Sequence, residues 1–434
     1  MSMDDSAQQQ ASSFTQNLHR NKSDDDGTDA AREICDDEKN HFDSVCSTYR
    51  QYATFSMSQW AQRDFRSKAL PESQRKFLPA GLRTGTPEHA KRSEDYKNAV
   101  IRNQFCLDCI LQHAGQPHSQ QQPSNNYVTD DQISKVYSVL KSLSRDWSED
   151  GKVERDMAYR PIKDLIHKYL PLEPHSSANR SPPRIVVPGS GVGRLAFDLA
   201  SMGYSVQGNE FSMYMLLASD FILNNGGSIC NPERPLHISP WLQESRNVHA
   251  STDPLRTVKI PDVDPVALLL PPVEDNGPVD PRPMPEFSMA AGDFVSIYNQ
   301  DQEAGQWDCV ASCFFLDATP NVVETLRVVY NMLKPGGLLV NLGPLLYHWS
   351  GPPTRPTDKT VDDYRRRYGH LDDRYFTSID LCYDDLKVVL NAIGFEILEE
   401  ETGVECYYTA DKRSMMKTKY QCVCFVARKK QQGQ

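Results

Sequence analysis

The sequence lacks the features that membrane proteins and nucleic-acid-binding proteins usually have. None of its 434 residues lie in an apolar run approaching the roughly 20 residues that span a bilayer. It also has no excess of basic residues, because 47 Lys and Arg stand against 58 Asp and Glu, a formal net charge of -11. A protein that neutralises nucleic-acid phosphates is normally basic or carries a basic stripe. We therefore expect no membrane partner and no nucleic-acid partner.

A secretory signal and a disulfide framework are missing as well. Residues 1–10 are polar and acidic, unlike a signal peptide. Eleven cysteines, an odd number scattered along the chain, favour reduced thiols and a cytoplasmic location, with the nucleus as the alternative. Cys106, Cys109, His113 and His118 are zinc-ligand types, but all four fall within one predicted helix and its end, unlike the spacing of zinc fingers. We predict no metal site.

Three segments follow from the composition. Residues 1–40 are rich in Asp, Gln, Ser and Asn and predict a disordered acidic tail. Residues 41–128 predict a polar helical region that ends in a linker rich in Gln, Pro and Asn. Residues 129–434 form the third and largest segment, which opens with a capping box at Thr129 and an amphipathic helix.

Strands and helices alternate from Arg184 onward. A short buried strand, a glycine turn, a helix and a second strand ending at Glu210 form a βαβ pattern. This pattern predicts an α/β fold with a parallel sheet. Two stretches with little periodicity, about 226–285 and 351–376, are interpreted as insertions. The chain is expected to close with a helix and two strands, at residues 395–399 and 420–427.

The glycine turn is the first candidate for chemistry. Gly189, Gly191 and Gly193 would let the backbone approach a ligand closely, beside the free N–H groups of a helix N-terminus. Glu210 lies 21 residues beyond Gly189, where nucleotide-binding sheets hold a ribose diol. A dinucleotide fingerprint requires a small residue where this chain has Arg194, which disfavours a nicotinamide-dependent oxidoreductase. From the residues alone, a tight turn without a ligand stays an alternative.

Five segments, in the same order, make the chain resemble one known family. They are residues 187–195, 207–212, 291–294, 341–348 and 414–417. Together they are similar to the carnosine N-methyltransferases, which are class I methyltransferases that use S-adenosylmethionine. The resemblance implies a Rossmann-like sheet, mostly parallel with an antiparallel last strand, preceded by a helical N-terminal region. It also implies methylation of an imidazole nitrogen of the histidine in carnosine to give anserine.

The resemblance implies the side chains of the cofactor site. Glu210 would take the ribose hydroxyls, Asp293 the adenine amino group, and Arg145 the methionine carboxylate. From the residues alone, Arg145 also fits a surface charge on a helix, and Cys313 a small buried residue. The implied set is Arg145, Gly189, Gly191, Gly193, Glu210, Asp293, Phe294 and Cys313.

The resemblance also implies an acceptor site, made by Asp317, His348, Tyr408 and Tyr420. Asp317 and His348 each follow a predicted strand, at the edge where open sheets bind ligands. Asp317 would accept the N–H of the second ring nitrogen, which fixes the tautomer and stabilises the charge that develops on the ring. The alternatives are a helix N-cap for Asp317, a structural histidine, and hairpin packing for the tyrosines.

We therefore expect an S-adenosylmethionine-dependent enzyme whose substrates are carnosine and related histidine-containing di- and tripeptides. A homodimer is among the assemblies to be tested. The chain has no Asn-Pro-Pro-aromatic motif after the strand predicted at residues 307–315, and this absence also argues against a nucleic-acid substrate. Three other hypotheses stay open: a protein-histidine methyltransferase, a nicotinamide-dependent oxidoreductase, and a non-catalytic module that only binds the cofactor.

Overall fold

The computed structural model describes residues 29–116, 128–172, 181–224, 229–269, 285–350, 354–371 and 373–431. The chain divides into two compact units. The helical unit comprises Met1–Asp150 and Met213–Leu270, and the sheet unit comprises Gly151–Ser212 and Pro271–Gln434. This division differs from the predicted boundary at residue 129, because the helix after Thr129 belongs with the preceding helices.

The bounds of the elements, in chain order, are as follows. The helices are α1 (Asp29–Ala69), α2 (Glu72–Arg75), α3 (Pro87–His113), α4 (Asp130–Asp146), α5 (Lys152–Tyr169), α6 (Arg194–Ser201), α7 (Met213–Asn224), α8 (Pro265–Leu269), α9 (Phe294–Tyr298), α10 (Val322–Met332), α11 (Val361–Tyr368) and α12 (Tyr383–Ile393). The strands are β1 (Arg184–Pro188), β2 (Ser205–Glu210), β3 (Leu236–Ile238), β4 (Val258–Ile260), β5 (Phe287–Ala291), β6 (Trp307–Cys313), β7 (Leu333–Gly343), β8 (Phe395–Thr409) and β9 (Thr418–Lys429). Short 3-10 turns lie between several of them.

Helix α1 corrects the prediction of a disordered tail over residues 1–40. It begins at Asp29, so the predicted end of the tail falls inside a helix, while residues 1–28 lie outside the described part of the chain. Once a helix is nucleated, each further residue adds one hydrogen bond. The packed segment around Val45 and Tyr49, both fully buried, therefore sustains a polar N-terminal extension that composition alone assigned to the tail.

The helical unit contains the described part of the first insertion. β3 and β4 pair antiparallel, with Leu236 opposite Ile260. The buried Asn103 of α3 holds the end of β3, because its amide nitrogen donates to the Ser239 carbonyl (2.9 Å) and its amide oxygen accepts from the Ser239 N–H (2.6 Å). Both backbone polar groups of the buried Ser239 are therefore hydrogen-bonded. These bonds order a segment that has no sequence periodicity.

The sheet unit confirms the predicted fold class. Its strands lie in the order β5-β2-β1-β6-β7-β9-β8, and the neighbours from β5 to β7 are parallel. Strand β9 runs antiparallel to both β7 and β8, which is the predicted antiparallel last strand. The carboxyl ends of the parallel strands therefore meet at one edge of the sheet, where ligands bind in open α/β folds.

The closing hairpin is longer than predicted. The ends of β8 and β9 carry charged residues, which in the sequence are typical of a loop. In the structure, these residues pair with each other across the two strands. Lys419 Nζ, for example, lies 2.6 Å from Glu405 Oε1, and cross-strand pairs of this kind support a ladder. The second insertion also contains a helix, α11, which begins at a capping box formed by Thr360 and Asp363. Within the described ranges, no helix is long and apolar enough to cross a membrane.

Candidate active site

The glycine turn after β1 requires glycine at more than one position. Gly189, Gly191 and Gly193 all have positive φ angles, of 61°, 57° and 83°. A Cβ atom on Gly189 would lie 2.9 Å from Cδ2 of Phe315, whereas a Cβ on Gly191 would meet nothing within 4 Å. The turn is therefore packed on one side by an aromatic ring and open on the other.

Glu210 joins the end of β2 to this turn. Its Oε2 accepts from the Gly191 N–H (2.8 Å), and its Oε1 accepts from the N–H groups of Phe211 (3.0 Å) and Ser212 (2.8 Å). Burial raises the pKa of Glu210, and these three N–H groups oppose that rise. A carboxylate has about four acceptor positions, so Oε2 keeps one for a ligand hydroxyl.

The turn also contains a buried polar atom without a hydrogen-bond partner among the described residues. The Ser190 hydroxyl is buried and has no hydrogen-bond partner among the described residues, although buried polar groups are normally satisfied. It lies beside Gly208 of β2, where even a Cβ atom would come within 2.7 Å of it. An orphan hydroxyl, an open backbone at Gly191 and a spare acceptor on Glu210 fit the polar groups of a nucleoside cofactor.

Asp293 and Phe294 lie where β5 ends and α9 begins. Asp293 caps α9, because its Oδ1 accepts from both the N–H and the hydroxyl of Ser296 (2.9 Å each). The predicted contact of Asp293 with adenine stays a prediction that its Oδ2 would have to fulfil. Phe294 is buried, and its ring centre lies 5.3 Å from that of Phe315. Phe315 therefore connects Phe294 to the glycine turn.

Arg145 and Cys313 complete the predicted cofactor set. Arg145 belongs to the helical unit, where its Nε and Nη2 donate to the Asp146 carboxylate at 2.8 and 3.0 Å. Its role with the methionine carboxylate stays a prediction. Cys313 ends β6 and lies near Cys422, whose pKa is raised first by the Cys406 thiol and by burial, and further by Cys313 and Asp317.

Asp317 links the loops after β6 and β7. Its side chain is only 2% exposed, and its Oδ2 accepts from the Leu346 N–H (3.1 Å). Its own carbonyl accepts from the His348 N–H (3.0 Å). Burial raises the pKa of Asp317, while the Leu346 N–H and His348 oppose the rise. Asp317 does not cap α10, since Asn321 fills that position, so the N-cap alternative is wrong.

The two predicted tyrosines lie together in the closing hairpin. The ring centres of Tyr408 and Tyr420 are 6.1 Å apart, and Tyr420 is 6.0 Å from Phe314. Burial raises the pKa of Tyr420, and the nearby Tyr408 and Asp317 add to it. The structure thus places Asp317, Tyr408 and Tyr420 in one neighbourhood, with the exposed His348 bonded to Asp317 through its backbone.

Phe314 and Phe315 are site residues that the sequence reasoning missed. Phe314 has a φ of 54°, which is strained for a bulky residue and typical of functional sites. Its N–H donates to the Leu342 carbonyl (2.9 Å), which holds the chain at the point where β6 ends. The available signal was two adjacent aromatic residues directly after a buried strand. They separate the two sites, since Phe315 faces the glycine turn and Phe314 faces Tyr420.

A metal has no evident place in this arrangement. Across the ranges that the structure describes, no three His, Cys, Asp or Glu side chains converge as a metal site would require. Cys106 and Cys109 are buried in α3, and His113 Nε2 lies 3.3 Å from Asp220 Oδ2. His118 lies outside the described residues.

The known proteins that this chain resembles include a family model and several curated relatives. The family model described as carnosine N-methyltransferase matches residues 122–431. The chain belongs to the carnosine N-methyltransferase family. A relative named carnosine N-methyltransferase from Mus musculus is 36% identical over 405 residues, which cover 91% of this chain and 87% of the relative. One from Schizosaccharomyces pombe is 36% identical over 294 residues, covering 68% and 70%.

Family membership and the strand order make the chain an S-adenosylmethionine-dependent methyltransferase, as predicted, with S-adenosylmethionine as its cofactor. A solved structure of an S-adenosylmethionine-dependent methyltransferase from Methanosarcina mazei matches 62% of this chain and 98% of its own, at 15% identity and a TM-score of 0.32. That likeness is too distant to add to the topology already described.

Proposed function

We propose that this enzyme methylates an imidazole nitrogen of the histidine in carnosine to give anserine, and that related histidine-containing di- and tripeptides are also substrates. The observation that carries this proposal is the buried carboxylate of Asp317 beside Tyr420 and Tyr408. A carboxylate among aromatic rings suits a small ring that carries one N–H group and develops positive charge.

The residues of the chain would act mainly by orientation. When bound, S-adenosylmethionine supplies an electrophilic methyl group. Imidazole has an unperturbed pKa of about 6.5, so its neutral form is already present at pH 7 and no strong base is needed. The Asp317 carboxylate accepts from the Leu346 N–H through Oδ2, and it would also accept the ring N–H opposite the reacting nitrogen. That bond fixes the tautomer and stabilises the positive charge as it develops.

The burial of Asp317 favours a small acceptor over a protein. A protein-histidine methyltransferase needs an open groove, in which a side chain still attached to a folded partner can reach the reacting group. Asp317 is almost wholly enclosed, and Tyr420 next to it is half-buried. A free dipeptide can enter such a site, and its backbone can bond to the exposed His348 at the rim.

The test is a methyl-transfer assay with labelled S-adenosylmethionine. Carnosine, homocarnosine, free histidine, a histidine-containing tripeptide and a protein extract serve as separate acceptors. We expect the highest kcat/KM for carnosine and measurable transfer to homocarnosine and the tripeptide. Label only in the protein fraction would support the protein-histidine alternative. Cofactor binding without transfer to any acceptor would support a non-catalytic module.

A further inference from the structure

Helix α5 contacts strand β8 on both sides of Tyr408, and both elements belong to the sheet unit. Before Tyr408 along the strand, the Cys406 thiol donates to the Met157 carbonyl of α5 (3.5 Å). After Tyr408, the Ala410 N–H donates to Glu154 Oε1 near the start of the same helix (2.6 Å). The helix therefore holds the backbone that carries Tyr408 at two points, one on either side of this residue.

The Tyr408 ring depends on this backbone for its position. The residue is 53% exposed, and its ring makes a T-shaped contact with Tyr420, with the ring centres 6.1 Å apart. The strand pairing beside it is irregular, because the register of β8 and β9 shifts between Tyr407 and Thr409. An exposed side chain keeps much of its rotational freedom, which substrate binding must then remove. Contacts that hold the adjoining backbone should therefore decide how well Tyr408 is ordered before a substrate arrives.

The bond from Ala410 to Glu154 is the stronger of the two contacts. A carboxylate that accepts from a backbone N–H makes a charge-assisted hydrogen bond, and the distance of 2.6 Å is short. A thiol is a weak donor, and the Cys406 contact is longer. Ala410 also follows Thr409, the last residue of β8, so the strand ladder ends before it. Glu154 thus bonds to the backbone just beyond the point where the paired strand ends.

We propose that Glu154 is a positioning residue for the methyl acceptor, because its bond to the Ala410 N–H holds Tyr408 where the acceptor ring binds. This inference rests on the proposed function, which makes Tyr408 part of the acceptor site. Glu154 acts through the backbone of β8, so it should affect acceptor binding more than the methyl-transfer step. A tyrosine that is ordered in advance lowers the entropy cost of binding the acceptor.

The test is a pair of substitutions at Glu154, measured by steady-state kinetics with carnosine at saturating S-adenosylmethionine. Glu154→Ala removes the acceptor of the Ala410 N–H. We expect it to raise the KM for carnosine about five- to tenfold, as the loss of one hydrogen bond predicts, with kcat within about twofold of wild type. Glu154→Gln keeps an oxygen that can accept from Ala410, so its KM should stay close to wild type. An unchanged KM in Glu154→Ala, or equal KM values in the two variants, would overturn the proposal.

Two control variants separate positioning from general loosening of the helix. Asp156→Ala removes the same charge from an exposed position on the same helix. Glu399→Ala removes the acceptor of the Tyr169 hydroxyl (2.7 Å), which joins α5 to β8 far from Tyr408 in sequence. We expect Glu399→Ala to lower the Tm and both controls to keep the wild-type KM. A KM raised as much in Glu399→Ala as in Glu154→Ala would mean a purely structural role and would overturn the proposal.

Amide hydrogen exchange of the full chain without substrate tests the positioning independently of activity. We expect the amide of Ala410 and peptides within residues 405–420 to exchange faster in Glu154→Ala than in the wild type or Glu154→Gln. A wild type that does not methylate carnosine would refute the proposed function, and this inference with it. An active wild type whose exchange near Ala410 is unchanged in Glu154→Ala would refute the positioning role alone.

Discussion

At the scale of single residues, the acceptor site depends on a carboxylate that water barely reaches. Asp317 is held by the Leu346 N–H on one oxygen and is otherwise enclosed. Burial costs the charged form of this group free energy, but it also strengthens any hydrogen bond that the carboxylate makes. The same residue should therefore lower the stability of the fold and support the reaction.

Replacing Asp317 by Asn tests whether this carboxylate supports the reaction. The amide keeps the shape and can still accept from the Leu346 N–H, but it cannot stabilise a positive ring. We expect kcat at saturating cofactor and carnosine to fall about a hundredfold, as when one preorganised electrostatic contact is lost. Asp380→Asn is the matched control, because Asp380 is an exposed carboxylate bonded to Ser350. Turnover close to wild type in Asp317→Asn would rule out the proposed role.

The pH dependence of stability tests whether the buried carboxylate of Asp317 lowers the stability of the fold. The pKa of Asp317 is raised by burial, so protonation favours the folded state. At pH values above this raised pKa, the buried charge lowers the free energy of unfolding by its full amount. This loss disappears as the pH falls towards about 3.9, the pKa of an Asp side chain in the unfolded state. The Tm of the wild type relative to Asp317→Asn should therefore rise as the pH is lowered from 7.5 to 4.5. A constant difference, or one of opposite sign, would mean that the carboxylate is not desolvated.

Glu210 supports a prediction about the cofactor site. In Glu210→Gln, one of the oxygens that accept backbone N–H groups becomes an NH2 group, which would face either Gly191 or Ser212 donor to donor. We expect the affinity for S-adenosylhomocysteine, measured by calorimetry, to fall about tenfold or more, with a lower Tm. Glu286→Gln, an exposed change just before β5, should leave both unchanged. An unaltered affinity in Glu210→Gln would remove this residue from the cofactor site.

At the scale of elements, the glycine turn offers a matched pair of substitutions. Gly189 and Gly191 have nearly equal positive φ angles, so alanine at either position should cost about 1–2 kcal/mol of backbone strain. Only at Gly189 does the new Cβ meet Phe315, which adds overpacking of about 1–3 kcal/mol. Thermal unfolding should therefore give a lower Tm for Gly189→Ala than for Gly191→Ala. A Phe315→Ala background should reduce that difference, and equal melting of the two single variants would contradict the packing.

Local pattern predicts much of this fold. The predicted βαβ pattern corresponds to β1, α6 and β2, and β2 ends at Glu210 as expected. Strands β8 and β9 are longer than predicted, because a segment rich in charged residues forms a strand only when another strand pairs with it. The bond between Asp317 and Leu346 joins residues 29 apart, and no periodicity reveals such a contact. Phe314 and Phe315 were not predicted as site residues, because their contacts are also with residues far away in the sequence.

At the scale of the whole molecule, the contacts divide the chain differently from the composition. The first insertion, as far as Leu270, and α7 belong to the helical unit together with the residues up to Asp150, so the chain leaves the sheet unit after β2 and returns before β5. Composition could not predict this, because the segment 226–285 has neither periodicity nor a repeat. The buried bonds between Asn103 and Ser239 show what orders it.

We propose that the enzyme transfers the methyl group to the imidazole ring of carnosine. The most direct measurement is the identity of the product formed from carnosine and labelled S-adenosylmethionine, by mass spectrometry and NMR against authentic anserine. We predict one methyl group on a ring nitrogen and a product identical to anserine, greatly reduced with Asp317→Asn. A methyl group on any other atom of carnosine, or no methylated carnosine at all, would contradict the account.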